Sequence, residues 1–146
     1  MITKSIDITI DRPVEDVFAF LTDAANHPKW DRSSVAMELE QPGPWRAGTT
    51  FREVRRTGPG TSAIRSTVAE LEPNRRMEIR SLSGAPFQGH WRFAPNGTGT
   101  RLQWSGEMQL TGFARLFEPL IARSFSKDVE ANFGRLKRIL EGTETA

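Results

Sequence analysis

Few residues in this chain can do chemistry. There are two histidines, His27 and His90, and no cysteine and no tyrosine. Thiol nucleophiles, thiolate metal sites and phenolic acids are therefore excluded. Proton transfer falls to His27, to His90 or to a carboxylate, of which Glu53 is the candidate. His27 sits in the stretch ANHPKWD, next to Pro28 and three residues before Trp30. Glu53 and Arg55 share strand parity with Phe51, so if Phe51 faces a cavity, Glu53 enters it too. Arg65 or Arg80 would be its partner if their strands are offset. A buried carboxylate beside an arginine can orient a polar group of a ligand or act as a base. As a surface cross-strand pair it would contribute little.

Other chemistries fit poorly. The histidines stand 63 positions apart with no HExxH-like spacing, so no metal site is expected. NGTGT lacks the third glycine of a dinucleotide fingerprint and leads into a strand. TGPGTSA lacks the Lys-Ser/Thr ending of a phosphate loop. No GxSxG elbow is present. No cofactor is expected.

These residues must be positioned by recognisable elements. In SIDITIDRP, Ile6, Ile8 and Ile10 alternate with polar residues and predict a half-buried strand. Asp11 reads as the cap of a following helix, with Pro13 near its start and Val14, Val17, Phe18 and Leu21 at helical spacing. Pro28 prevents TDAANHPKWD from continuing as one regular helix. Strands are predicted over 34–40, 49–56, 61–72, 76–82, 88–94 and 100–110, separated by turn-forming segments. Among these, PNGTG carries an Asn-Gly hairpin signal. In the last strand Leu102, Trp104, Met108 and Leu110 share one face, and Arg101, Gln103, Ser105, Glu107 and Gln109 the other. His90 alternates with Trp91, so if Trp91 faces inward, His90 faces solvent. From 112 to 141 the period changes. Ile121, Phe125, Val129, Phe133, Leu136 and Leu140 form the stripe of a long amphipathic helix, ended or kinked early by Pro119. Residues 142–146 read as a frayed tail.

The order is strand, helix, about six strands, long helix. A sheet with one dry face needs a cover, and only the last helix is long and apolar enough. A curved sheet cannot touch a straight helix along its whole length, which leaves room for a cavity. Phe51, Ile64, Trp91, Phe93, Trp104, Met108, Phe125 and Val129 are its candidate lining. The expected fold is α+β, one domain over residues 1–146. A curved antiparallel sheet of about seven strands wraps the C-terminal helix, and short helices follow the first strand.

Composition bounds the rest. At 146 residues, with 37% apolar and 26% charged residues, the chain suits one globular domain. No apolar run reaches the length of a membrane span. The first residues lack the pattern of a signal peptide, so a cytoplasmic location is expected. The formal charge is +2, and its basic residues are dispersed. Nucleic-acid binding, which needs a basic stripe or a known module, is not expected.

Several residues together resemble a known family. Pro13, Val17, Phe18, Leu21, Asp23, Pro28 and Trp30 follow the first strand. Gly48 and Phe51 form a Gly-x-x-Phe opening to a strand, and Pro73, Arg75 and Arg76 a turn. Trp91, Phe93, Pro95, Gly97 and Gly99-Thr100-Arg101 form a late hairpin. Leu136, Lys137, Leu140 and Glu141 lie on the last helix. In this order they resemble the START-like helix-grip superfamily (SRPBCC), which includes polyketide cyclase/dehydrase-like and plant Bet v 1-like proteins. The resemblance implies a deep cavity for hydrophobic ligands such as lipids, polyketides or aromatic compounds. It also places the Asp23…Pro28…Trp30 segment near one end of that cavity, with His27 as a loop residue there.

Three functions remain. The first is binding of a small hydrophobic ligand. The second is a cyclase or dehydratase acting in the same cavity, with Glu53 or His27 as base. The third is an interaction module, which no exposed apolar stripe in the sequence supports. Fold does not choose among them. Monomer and homodimer are both open.

Overall fold

The computed structural model describes residues 1–146. Alternation along the sequence becomes seven antiparallel strands in one sheet: β1 (Ile2–Ile10), β2 (Ser34–Leu39), β3 (Thr50–Thr57), β4 (Gly60–Glu72), β5 (Arg76–Ser81), β6 (Phe87–Asn96) and β7 (Gly99–Met108). Their order across the sheet is β1-β7-β6-β5-β4-β3-β2. Each strand from β2 to β6 pairs with the next in the chain. β1 pairs with β7, so the first and second strands lie at opposite edges. The chain crosses between those edges through α1 (Val14–Leu21), a 3-10 turn (Ala24–Asn26) and α2 (His27–Trp30). After β7 a second 3-10 turn (Gly112–Phe117) leads into α3 (Glu118–Leu140). This is the curved antiparallel sheet gripping a long C-terminal helix that the sequence predicts.

The pleat decides which side chains meet the helix. Trp91 and Trp104 are directly paired on β6 and β7, and Phe93 is paired with Leu102. All four are buried. Phe133 of α3 packs against Trp30, Trp91 and Trp104, with ring centroids 5.3 to 5.4 Å apart. α3 runs along β1 and is pinned to it by polar groups. Lys4 meets Glu130 at 2.5 Å, the Asp11 backbone N–H donates to Glu141 at 2.8 Å, and Lys137 donates to the Thr9 carbonyl.

Three local expectations change. Asp11 does not cap α1. Its N–H is taken by Glu141, and the helix starts after Pro13, which has extended geometry and no side-chain cap. Pro119 lies in the first turn of α3, where no intrahelical N–H is lost, so the proline marks the helix start. The late hairpin turns one residue beyond Asn-Gly. Asn96 pairs with Gly99, leaving Gly97 and Thr98 at the tip. Gly97 takes φ +61°, a conformation that favours glycine.

Candidate functional site

Local chemistry sets up a charged cluster where α2 meets β3. The Asp23 side chain accepts from the Ala25 N–H at 3.1 Å and starts the 3-10 turn. Pro28 then fits the first turn of α2, which holds His27 and Trp30 one turn apart. Asp31 ends that helix and accepts from the Ser33 N–H at 3.0 Å and from Asn132 Nδ2 of α3 at 3.1 Å. On β3 the inward parity of Phe51 carries Glu53 and Arg55 toward the same point.

Four side chains meet there in alternating charge. His27 Nε2 lies 3.1 Å from Glu53 Oε2 and 3.3 Å from Asp31 Oδ2. Arg55 Nη1 lies 2.8 Å and 3.0 Å from the same two oxygens. Both carboxylates are thus bridged by two cations. Arg135 reinforces the group from α3, donating to the Trp30 carbonyl at 2.8 Å and to Asn132 Oδ1 at 3.2 Å. Burial alone would lower the pKa of His27. Hydrogen bonds to Asp31 and Glu53 outweigh it and raise the imidazole to about 9. Burial would likewise raise both carboxyls, yet His27 and Arg55 hold Asp31 and Glu53 below the usual carboxylate range. Arg55 is shifted upward by the two carboxylates against its own desolvation. At neutral pH the group is therefore two cations and two anions.

That arrangement limits its chemistry. A general base works best with a pKa near the operating pH, and neither His27 nor Glu53 has one. His27, Asp31 and Glu53 could each offer a ligand atom, all within 4.8 Å of one another. Arg55 already bridges both carboxylate oxygens, so a metal ion would have to displace a guanidinium. The cluster reads as a polar staple joining α2, β3 and α3.

The apolar side has two parts. Trp91, Phe93 and Trp104 are buried in the aromatic stack, Phe51 stacks on Trp45 at 5.4 Å, and Val129 is buried. Ile64 and Phe125 are half-buried. Met108 borders a depression of about 300 Å³ at the β5–β6 turn, together with Leu82, Phe87 and Met1. Met1 also holds Glu118 at 3.1 Å, which places the start of α3 beside this depression. Along α3 one stripe changes character. Leu140, Leu136, Phe133 and Val129 are buried, while Phe125 and Ile121 are only half-buried. The helix is sealed against the sheet at its C-terminal half and loses cover toward its start.

Several sequence expectations need correction here. Glu53 pairs with neither Arg65 nor Arg80. Arg65 binds Glu40 at 2.7 Å and Arg80 binds Glu78 at 2.8 Å. The register places Ile64 opposite Glu53 and Arg65 opposite Arg52, so Arg65 projects from the other face. His27 is no loop residue. It opens α2, packs edge-on to Trp30 at 5.1 Å and is mostly buried. His90 lies 3.9 Å from Glu78 on the outer face, at the edge of a polar depression of about 540 Å³. An exposed apolar stripe does exist. Phe113, Leu116, Phe117 and Leu120 are all more than half exposed. Asp31 and Asn132 were not singled out from the sequence. No local pattern marks them, since Asn132 sits 101 positions from Asp31.

Solved structures share this architecture. TTHA0849 from Thermus thermophilus aligns with a TM-score of 0.80 at 21% identity, over 98% of this chain and 99% of that one. DR_A0006 from Deinococcus radiodurans aligns with a TM-score of 0.74 at 19% identity, over 99% and 100%. Zhui aromatase/cyclase from a Streptomyces species aligns with a TM-score of 0.70 at 16% identity, over 94% of each chain. At these identities the likeness concerns the fold. No functionally curated protein sequence matches the chain. A family model described as "Polyketide cyclase / dehydrase and lipid transport" matches residues 1–141. With a match of that extent, the chain belongs to the polyketide cyclase / dehydrase and lipid transport family.

Proposed function

We propose that this protein binds a small hydrophobic ligand, a lipid or a flat polyketide-like or aromatic molecule, between the N-terminal half of α3 and the sheet. The observation that carries this reading is the change along the α3 stripe, from buried Leu136 and Phe133 to half-buried Phe125 and Ile121. Half-covered apolar side chains on the helix, with Ile64, Ile79 and Phe87 half-buried on the inward face of the sheet, suit an apolar occupant. The charge cluster would stand at the polar end of that site. The family description, which names both cyclases and lipid transport, is compatible with this reading.

The enzymatic alternative uses the same space for cyclisation or dehydration of a polyketide-like substrate. It needs a proton acceptor near neutrality. The raised His27 and the lowered Glu53 supply none, so binding is the better-supported function.

Displacement of a fluorescent apolar probe tests the reading. The probe should bind saturably and be displaced by fatty acids or fused aromatics. Phe125→Ser should weaken binding by about 1.5–3 kcal/mol, the value of one large apolar side chain. A probe that never saturates, or an unaffected Phe125→Ser variant, refutes it.

A further inference from the structure

The segment between β7 and the middle of α3 exposes more large apolar surface than any other part of the chain. Phe113 is 86% exposed, Leu116 73%, Phe117 55% and Leu120 68%. All four lie within eight consecutive residues, on the second 3-10 turn and the first turn of α3. Scattered exposed hydrophobics need no explanation, but a contiguous group marks a surface that meets something apolar.

The charges around the group say what that is. Arg115, Arg123 and Lys127 are exposed in the same segment. Arg123 and Lys127 follow Leu120 by three and seven residues, so they continue its side of the helix. The one acid between Gly112 and Lys127 is Glu118, and the Met1 amine holds it at 3.1 Å. The apolar group is thus flanked by three cations; of the acids nearest them, Glu118 is engaged by the Met1 amine, and Asp128, next to Lys127, lies eight residues beyond Leu120, away from the apolar group. A second copy docking through this patch by two-fold symmetry would bring the patch against itself, cations facing cations. Four side chains are also far fewer than the roughly 20 to 30 residues a side of a stable protein interface. A surface that is apolar inside and anionic at its boundary complements both features.

We propose that Phe113, Leu116, Phe117 and Leu120 insert into the surface of a bilayer carrying anionic lipids, with Arg115, Arg123 and Lys127 contacting the headgroups. The docked protein would lie on the membrane without crossing it, since no helix is long and apolar enough to span one. Docking by this face would turn the less covered start of α3 toward the lipid. The inference stands on the exposed patch alone and does not require that a ligand bind inside the fold.

Vesicle flotation tests it with the full chain. One set of vesicles is phosphatidylcholine alone, and the other equal parts phosphatidylcholine and phosphatidylglycerol. The wild type should float with the mixed vesicles at low salt, and much less with phosphatidylcholine or at high salt. The double variant Leu116→Ser, Leu120→Ser should lose binding to both. The double variant Arg123→Glu, Lys127→Glu should weaken binding to the mixed vesicles by at least about tenfold. These side chains are exposed, so thermal melting of each variant should match the wild type. Two results would overturn the proposal. One is a wild type that stays with the soluble fraction on mixed vesicles at low salt. The other is a wild-type dimer in solution that the serine variant converts to monomer, which assigns the patch to a second copy.

Discussion

Replacing His27 by glutamine should remove a pH-dependent part of the stability while leaving the fold in place. In the native protein the imidazole is raised from 6.5 to about 9 by Asp31 and Glu53. A shift of that size corresponds to about 3 kcal/mol of preference for the protonated form in the folded state. The sign follows from proton counting. Below pH 6.5 both folded and unfolded chains carry the proton and the contribution is complete. Between 6.5 and about 9 the folded chain holds one proton more, so stability falls by about 1.4 kcal/mol per pH unit. Above about 9 the contribution is gone. The carboxylates set the acid side. Asp31 and Glu53 are held low, so their share is present above their unfolded values of about 4 and is lost as pH falls below them. Urea unfolding of wild type and His27→Gln at a series of pH values reads the difference directly. It should be about 3 kcal/mol at pH 6, or roughly 10 °C in melting temperature, and should shrink toward zero, apart from a constant packing loss, by pH 9.5. A difference independent of pH across that range would refute the reasoning. So would a His27 proton resonance that titrates at or below 6.5.

Two further substitutions probe the elements around the site. Arg55→Met leaves two buried carboxylates sharing only His27. Breaking such a network costs about 3–5 kcal/mol, and the low end applies because the Arg55 side chain is 29% exposed. A loss under about 1 kcal/mol in urea unfolding would contradict the bridging role. Gly106→Ala places a methyl 2.4 Å from Trp104 Cη2 and 2.6 Å from Cζ2. The indole lies over Gly106 and the directly paired Gly89, so it must swing out. The expected cost is about 1–3 kcal/mol, with a changed near-ultraviolet circular dichroism signal. An unchanged spectrum and stability would mean that the glycine floor does not position the tryptophan.

The parts of this fold that read directly from the residues are those whose partners lie nearby in sequence or follow a fixed period. Ile6, Ile8 and Ile10, the alternation through Trp104, and the stripe from Ile121 to Leu140 needed only the pleat and the helical turn. Hairpin register was harder. The turn after β6 slipped one residue because Gly97, rather than Asn96, takes the positive φ. The charged cluster was not legible as a unit. Parity pointed Glu53 inward, but its partner comes from α2, and nothing local fixes how α2 docks on β3. Arginines on neighbouring strands looked equally available until the register put them on the outer face. The exposed group at Phe113 to Leu120 was hidden for a related reason. Its residues are as apolar as those of a buried helix, and only the path of α3 decides which of them the sheet covers.

The central claim is a hydrophobic site between the start of α3 and the sheet. Methyl resonances of isoleucine-labelled protein, titrated with a fatty acid or a fused aromatic, test it most directly. Saturable shifts at Ile64, Ile79 and Ile121, with Ile10 at the sealed end unmoved, are the predicted result. Shifts absent from these three methyls, or spread equally to Ile10, would contradict it.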